Sequence, residues 1–192
     1  MIIGHLPAGY VLSKLGYSRF RRHVGNYRTF MFWGLCGSLA PDLDMFYFHL
    51  VDHRHTHHHK YCSHYPVLWF ALILVAALLC LSRGRREQLG AYALVFAVAG
   101  FCHLILDTIV GDIWWFAPFI DRPFALASVP AVYHPWWLNF ILHWSFMLEI
   151  TIVIWAAWLW RRATGNEQVV GRQGLAGEAS KKGSLSSGKQ RK

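Results

Sequence analysis

The stretch that decides the fold is Leu89–Val110, LGAYALVFAVAGFCHLILDTIV, an apolar run interrupted by His103 and Asp107. A helix of this length rises about 33 Å, which is enough to cross a bilayer. The two polar residues are four apart, so they share one face of that helix. Because an ionised carboxylate within a membrane span is costly, its presence predicts a functional site with a partner nearby. The His and Asp pair is therefore interpreted as one half of a metal site.

The composition places the whole chain in the membrane class. Of its 192 residues, 55% are hydrophobic and 15% are charged, whereas about a quarter of an average soluble domain is charged. A soluble protein with a very apolar core is the alternative, and three long apolar runs in so short a chain disfavour it. The other two runs are Pro66–Ser82 and Phe140–Trp160. His143 and Glu149 interrupt the second, and each is expected to hydrogen-bond across the bundle or to support the site.

Two shorter apolar segments complete the predicted architecture. Thr29–Ala40 is too short to span alone and is predicted to be a re-entrant or partly buried helix, and Met1–Tyr17 is predicted to be another helix. The expected fold is all-α, a polytopic helical membrane protein with about four to five membrane helices or half-helices within residues 1–160. Residues 161–192 are rich in Gly, Ser and Lys and are predicted to form a disordered basic tail.

The net charge is +9, and its distribution argues against a specific nucleic-acid partner. Sixteen of the nineteen basic residues, eight of them after Trp160, fall on one side if the segments alternate across the bilayer. This positive-inside pattern indicates that the basic side is cytoplasmic. The sequence therefore predicts a multi-pass protein of a bacterial-type inner membrane with a cytoplasmic tail. Membrane lipids and a cytoplasmic regulator are the expected partners of that tail.

The histidines collect on the opposite face, where the same threading puts eleven of the twelve. Asp42 and Asp44 emerge there just after Pro41, and carboxylates so spaced in a turn can converge on one cation. Pro-Asp is also a common helix stop. His49–His64 contains seven histidines in sixteen residues, and because such tracts bind transition metals by composition, several are expected to be bystanders. The candidate metal ligands are His5, Asp42, Asp44, His53, His59, His64, His103 and Asp107.

Four short motifs occur in a fixed order along the first part of the chain. They are Gly4-His5, Pro41-Asp42-Leu43-Asp44, a His-basic-x-x-Thr/Ser-His element, and Gly-x-x-His-x-x-x-Asp from Gly100 to Asp107. The ordered set resembles the membrane-bound metal-dependent hydrolases, also described as LexA-binding, inner-membrane-associated hydrolases. The likeness covers most of residues 1–112. It implies a helical membrane protein and a metal-dependent hydrolase, with a site design related to that of zinc-dependent phospholipase C.

The third motif departs from the family pattern, which reads His-Arg-Gly-x-Thr-His-Ser. Residues 59–64, His-Lys-Tyr-Cys-Ser-His, keep its spacing with Lys60 in place of Arg. The segment beginning His53-Arg54 keeps the Arg and the Thr but is one residue short. We therefore expect His59 and His64 to bind metal, with His53 as the alternative.

The resemblance implies metal-dependent hydrolysis. Without the alternative His53, seven candidate ligands remain. Seven exceed what one tetrahedral zinc ion can use, so two divalent ions are expected, most simply Zn²⁺. One ion would lower the pKa of bound water, and the second would stabilise charge on the substrate oxygen. Arg54 or Lys60 would bind a phosphate, and a site at the non-cytoplasmic membrane face predicts a phosphate ester or lipid-linked substrate. The alternative is a non-enzymatic metal-binding membrane protein: a transporter, a sensor or a scaffold.

Overall fold

The computed structural model describes residues 3–163. These residues form seven α-helices, and within them the only strand-like pairing is an isolated bridge between Ile113 and Phe124. The α-helices are α1 (His5–Phe20), α2 (Tyr27–Leu39), α3 (Asp44–Leu50), α4 (Pro66–Cys80), α5 (Arg85–Asp107), α6 (Trp137–Ile141) and α7 (residues 145–163). Three short 3-10 helices are Pro41–Leu43, His58–Lys60 and Cys62–His64. The prediction of an all-α fold is confirmed for the described residues.

Helix α5 is the centre of the helical arrangement, and it packs against α1, α2 and α4. Its packed faces carry small side chains such as Ala91, Ala97 and Ala99, which are almost fully buried. Small residues let helix backbones approach closely. In lipid, where the hydrophobic effect does not drive helices together, this close packing is what holds them to one another. The same packing buries His103 and Asp107 at the far end of α5.

Helices α1 and α2 meet through two glycine–serine pairs. A Cβ placed on Gly34 would lie 1.8 Å from the hydroxyl oxygen of Ser13, and one placed on Gly9 would lie 2.5 Å from Ser38. The two helices therefore run antiparallel, with each glycine opposite a serine of the other helix. Each serine hydroxyl donates to a carbonyl of its own helix, Ser13 to Gly9 and Ser38 to Leu35. The polar groups in this tight contact are thus satisfied, and only the small serine side chains lie between the backbones.

Two predicted segment boundaries differ from the structure. Phe140–Trp160 was predicted as one span, but α6 ends at Ile141 and α7 begins at residue 145. Between them, Nδ1 of His143 lies 2.9 Å from the Ser145 hydroxyl and accepts from the Ser145 amide, so the imidazole stabilises the start of α7. The predicted tail begins at 161, whereas α7 continues to 163; residues 164–192 lie outside the described part.

The membrane-spanning character is clearest for α5. In the described range, α5 is the one helix long and apolar enough to cross a bilayer, and α4 is a shorter apolar helix. Helix α2 ends at Leu39, two residues before Pro41, as the proline predicts. Within the described residues, those up to Ala156 form one compact unit and those from Ala157 belong to a second. The polar ends of α1 and α5 lie in the first unit.

We expect Gly34→Ala to destabilise the protein by about 1–3 kcal/mol, because the added methyl group would overlap the Ser13 hydroxyl. Gly16→Ala in α1 is the matched control, since a Cβ there meets no atom within 4 Å. Replacing a helical glycine by alanine at an open position should stabilise slightly. The measurement is the thermal midpoint of each variant in detergent. A loss in Gly16→Ala as large as in Gly34→Ala would contradict the close contact.

Candidate metal centre

The site is built around the carboxylate of Asp107, the last residue of α5, whose surface is 2% exposed. His103 lies one turn earlier, and its Nε2 is 2.9 Å from Oδ2 of Asp107. The α-helical spacing alone brings these two side chains together, as the sequence predicted. They point into the protein and form a buried pair at the end of α5.

Helix α1 contributes His5 at its first turn. Nε2 of His5 is 3.1 Å from Oδ1 of Asp107, and its ring stacks on the His103 ring with 3.7 Å between centroids. Glu149 of α7 accepts hydrogen bonds from the backbone amides of Ile3 (2.6 Å) and Gly4 (2.9 Å). A carboxylate is favourable at a helix N-terminus, because unpaired amides and the helix dipole both attract it. Glu149 therefore holds the start of α1 where His5 reaches Asp107.

Two further donors come from the segments that link the helices. Asp42, in the turn after α2, places Oδ1 3.4 Å from Nε2 of His103. His64, just before α4, places Nε2 3.9 Å from Oδ1 of Asp42 and 4.0 Å from Oδ2 of Asp107. One ligand atom from each of Asp42, His64, His103 and Asp107 lies within 4.8 Å of the other three. Ligands of one tetrahedral zinc are about 3.4 Å apart, so a small inward adjustment brings these four onto one ion.

Three of the histidine rings are oriented by an acceptor at Nδ1. His103 Nδ1 lies 2.7 Å from the Ser38 carbonyl, and His59 Nδ1 lies 3.1 Å from the Asp112 carbonyl. A carbonyl oxygen only accepts, so each Nδ1 carries a proton, and Nε2 is the nitrogen left to bind a metal. His64 Nδ1 is 2.7 Å from Oδ2 of Asp44, which forms a carboxylate–histidine pair typical of zinc sites. All three Nε2 atoms point towards Asp107.

The donor set fits a divalent transition metal. Nε2 of His64 is buried and has no hydrogen-bond partner among the described residues, and the buried Nε2 of His103 faces only the carboxylates of Asp107 and Asp42. Orphaned buried acceptors are rare in folded proteins, and each calls for a specific cause. A cation between them would bind both lone pairs and neutralise the nearby carboxylates. Two imidazoles with two carboxylates is a ligand combination that suits zinc.

His59 adds a fifth donor to the group around Asp107, with Nε2 3.7 Å from Oδ2. The ring lies against the backbone after α5, where a Cβ on Gly111 would come within 2.7 Å of Cε1 of His59. Only a glycine leaves room for the ring at that distance. Burial lowers the pKa of His59 to about 3, so its imidazole is neutral at physiological pH.

The structure separates the predicted ligands into three groups. His5, Asp42, His59, His64, His103 and Asp107 converge. Asp44 lies one step outside and bonds His64, where it also accepts from the Ser63 hydroxyl. His53 is exposed, in a loop where its φ is +48°. Of the histidines expected to bind metal, His59 and His64 lie in the converging group and the alternative His53 does not.

The two predicted phosphate ligands also differ from each other. Lys60 Nζ lies 2.8 Å from Oδ2 of Asp121, which in turn accepts from the indole of Trp114. These bonds tie the His-rich tract to the segment that follows α5. Arg54 is exposed and adopts a φ of +65°. Neither cation is among the residues that converge on Asp107.

Three supporting groups were outside the candidate list: Glu149 and the carbonyls of Ser38 and Asp112. The sequence does mark Glu149, because a carboxylate in an apolar run is unusual, and its predicted hydrogen bond across the bundle is confirmed. The sequence does not mark the two carbonyl groups, because every residue has a backbone carbonyl.

A cavity of about 800 Å³ opens above the site. Its floor includes His5, Asp42, His59 and Asp107, and Asp42 is the exposed member, with 40% of its side chain accessible. Its walls are largely apolar and come from α3, α6 and the segment after α5. The main wall residues are Met45, Phe46, Val110, Ala125, Ala127, Val129, Trp136 and Phe140. The candidate metal ligands therefore lie at one end of a cavity whose other walls are largely apolar.

We expect the metal-free protein to lose stability as the pH falls from about 6.5 towards 3, because only the unfolded chain protonates His59 in that window. At pH 5 the protonation of this one residue in the unfolded chain lowers the free energy of unfolding by about 2 kcal/mol. Thermal midpoints of chelator-treated protein at pH 7.5 and pH 5 measure the effect. His59→Gln should flatten the fall, whereas His55→Gln, which replaces an exposed histidine, should leave it intact. An identical fall in both variants would show that His59 is not the source.

Comparison with known proteins identifies one family. Comparisons with curated proteins and with solved structures each found no match. Residues 1–169 match the model of the family described as "YdjM inner membrane protein", and this range includes every residue of the site. The chain therefore belongs to the YdjM inner membrane protein family.

Proposed function

We propose that this protein is a membrane-embedded metal-dependent hydrolase that acts on an amphiphilic phosphate ester. The observation that carries the proposal is the convergence of four histidine Nε2 atoms and Asp42 on the buried carboxylate of Asp107. Perturbed, buried ligand clusters at the base of a cavity are typical of functional sites. A purely structural role would not require the cavity above it.

Two divalent ions, most simply Zn²⁺, fit the donors better than one. Oδ2 of Asp107 belongs with Asp42, His64 and His103, whereas Oδ1 faces His5. A carboxylate with ligands on both oxygens can bridge two ions, as in sites whose metals lie about 3.5–4 Å apart. His5, on the Oδ1 side, would then hold the second ion, whereas His59 faces the Oδ2 side with the other donors. When bound, the ions would act as Lewis acids towards a phosphoryl oxygen and would lower the pKa of a water.

The residues of this chain have distinct roles in that chemistry. Asp44 and the carbonyls of Ser38 and Asp112 keep three imidazoles in the metal-binding tautomer. Asp42 is the ligand that faces the cavity, so a substrate phosphate would approach from its side. We assign Arg54 to the phosphate, because Lys60 is engaged by Asp121. The apolar walls would exclude bulk water from the reacting group.

An amphiphilic substrate follows from the walls of the cavity and the surface beside it. None of the seven residues of α3 is buried, and Phe46 and Leu50 are 67% and 72% exposed. Phe46 and Trp136 both line the cavity and face outwards. Apolar surface of this extent is normally covered by a partner or a membrane. An acyl or polyprenyl chain could therefore lie along the walls while its phosphate reaches the metal.

A multi-pass topology is part of the proposal. Helix α4 has no polar side chain before Cys80, and most of its large side chains are uncovered, including Phe70, Leu74 and Leu78. An apolar helix with an uncovered surface is stable in lipid rather than in water. Its 15 residues rise about 22 Å, so its flanking residues would complete the crossing. The basic segments then lie in the cytoplasm, where the tail could contact lipid headgroups or a regulator.

The second candidate function is metal binding without hydrolysis, as in a transporter, a sensor or a scaffold. A transporter needs polar groups near the middle of several helices and access from both sides. Here the ligands cluster at the last turn of α5, the first turn of α1 and the adjacent loops. That one-ended arrangement favours the enzyme.

We expect Asp107→Asn to lower metal affinity by more than about 100-fold and to abolish turnover, because it removes a charge shared by the whole donor set. His53→Ala is the control. It replaces an exposed histidine of the segment that also holds His59 and His64, and this variant should retain both metal affinity and turnover. Metal content is measured by elemental analysis of detergent-purified protein. Turnover is measured with Zn²⁺, Mn²⁺ or Co²⁺ on phosphomonoesters, phosphodiesters and lipid phosphates.

The two candidate functions give opposite results in this assay. Hydrolysis that is lost on chelation and restored by metal in the wild type, but not in Asp107→Asn, supports the enzyme. Stoichiometric metal with no metal-dependent hydrolysis across the panel would favour the binding protein. Arg54→Ala should raise KM with little change in kcat, since Arg54 lies outside the group that converges on Asp107 and would contribute mainly to substrate binding.

The proposed topology predicts a cytoplasmic location for the α4–α5 connection and for the tail. Reporter fusions at Gly84 and at Ser187 should both be active as cytoplasmic reporters, because sixteen basic residues segregate to that side. A fusion at His55 should report the opposite side. An external report from Gly84 would overturn the threading and, with it, the placement of the site.

A further inference from the structure

We propose that His57 and His58 form an outer metal-binding station on the cavity wall, from which an ion passes to the buried cluster. The proposal rests on the metal site described above and adds a second, weaker site to it. Both histidines line the same cavity as His5, Asp42, His59 and Asp107. They are not among the four residues whose ligand atoms lie within 4.8 Å of one another.

The first argument is a continuous series of imidazole rings that leads from the cavity to the interior. The ring centroids of His57 and His58 are 5.3 Å apart, and those of His58 and His59 are 3.9 Å apart. His59 is 4.7 Å from His64. The series continues from His64 to His103 at 5.7 Å and from His103 to His5 at 3.7 Å. An ion leaving His58 therefore meets another imidazole at each step.

The second argument is the burial of the destination. His64 and His103 are 0% and 1% exposed and Asp107 is 2% exposed, so a hydrated ion cannot reach them with its water shell intact. Exchange of water for nitrogen ligands before burial would lower the cost of desolvation. His58 lies between the exposed His57 and the buried rings, and its ring is 5.9 Å from that of His64. Its position suits a ligand that hands an ion inwards.

The third argument concerns the state of His57. Its Nδ1 accepts from the His59 amide at 3.3 Å, so this nitrogen carries a lone pair, the form that binds a metal. A bond of that length is weak, and an ion can replace it. The rings of His57 and His58 are nearly parallel, with 12° between their planes. Neighbouring imidazoles on one short turn bind borderline cations such as Zn²⁺ or Co²⁺.

The contrast with the rest of the His-rich tract makes the proposal specific. His49 and His55 are exposed. Neither lines the cavity. The composition of the tract predicts weak metal binding by any of its histidines. The structure assigns that role to the pair next to the buried site.

The test measures the rate and the equilibrium of metal binding separately. Metal-free protein in detergent is mixed with Co²⁺, and the absorption of four-coordinate Co²⁺ is followed by stopped flow. In His57→Ala/His58→Ala we expect uptake into the buried site to slow about tenfold, because the ion must then lose water before any imidazole replaces it. The final absorption and the affinity of the buried site should match the wild type. A weak additional equivalent of Co²⁺, seen in the wild type by equilibrium titration, should be absent.

The matched control is His49→Ala/His55→Ala, which removes two histidines of the same tract and should leave the rate and the additional equivalent unchanged. The single variants His57→Gln and His58→Gln, which preserve polarity, should each slow uptake and test the proposal if the double variant is unstable. Equal uptake rates in the wild type and in these variants would overturn it. So would a loss of equilibrium affinity at the buried site with no change in rate. Absence of Co²⁺ binding in the wild type would instead refute the proposed metal centre.

Discussion

The buried carboxylate of Asp107 is the constraint on which the rest of the structure depends. At 2% exposure, a charge in this position is costly unless it is surrounded by compensating groups. The groups around it come from three separate parts of the chain, α1, the loop before α4 and α5 itself, which supply four histidines that would hold a compensating cation beside the carboxylate. Folding and site assembly are therefore one process, because no single helix can satisfy this residue.

Helix packing and ring orientation are coupled through Ser38. Its side chain lies in the glycine–serine contact between α1 and α2, and its carbonyl accepts from Nδ1 of His103. The spacing of two helices thus fixes the rotation of a metal-binding imidazole on a third. Glu149 acts similarly from α7, since it positions the amides that precede His5. The ligand geometry is the sum of several ordinary packing contacts.

The sequence predicted the features that have a strong local signal. Apolar runs predicted α4 and α5, and His103 and Asp107 were identified because polar side chains in such a run need a reason. The remainder depends on tertiary contacts. Asp42 and Asp44 look alike in sequence, yet one joins the donor group and the other supports His64. The break before residue 145 and the walls of the cavity come from irregular segments, where periodicity gives no guidance.

The position of Asp107 at the end of α5 has an electrostatic consequence of its own. The last carbonyls of a helix carry a partial negative charge of about half an electron, and here that end of a 23-residue helix faces the donor group. The partial positive charge at the N-terminus of α1 is compensated by the carboxylate of Glu149. Peptide dipoles do not titrate. A cation bound in this pocket would thus be attracted partly by the backbone, and that attraction would persist at pH values that neutralise the side chains.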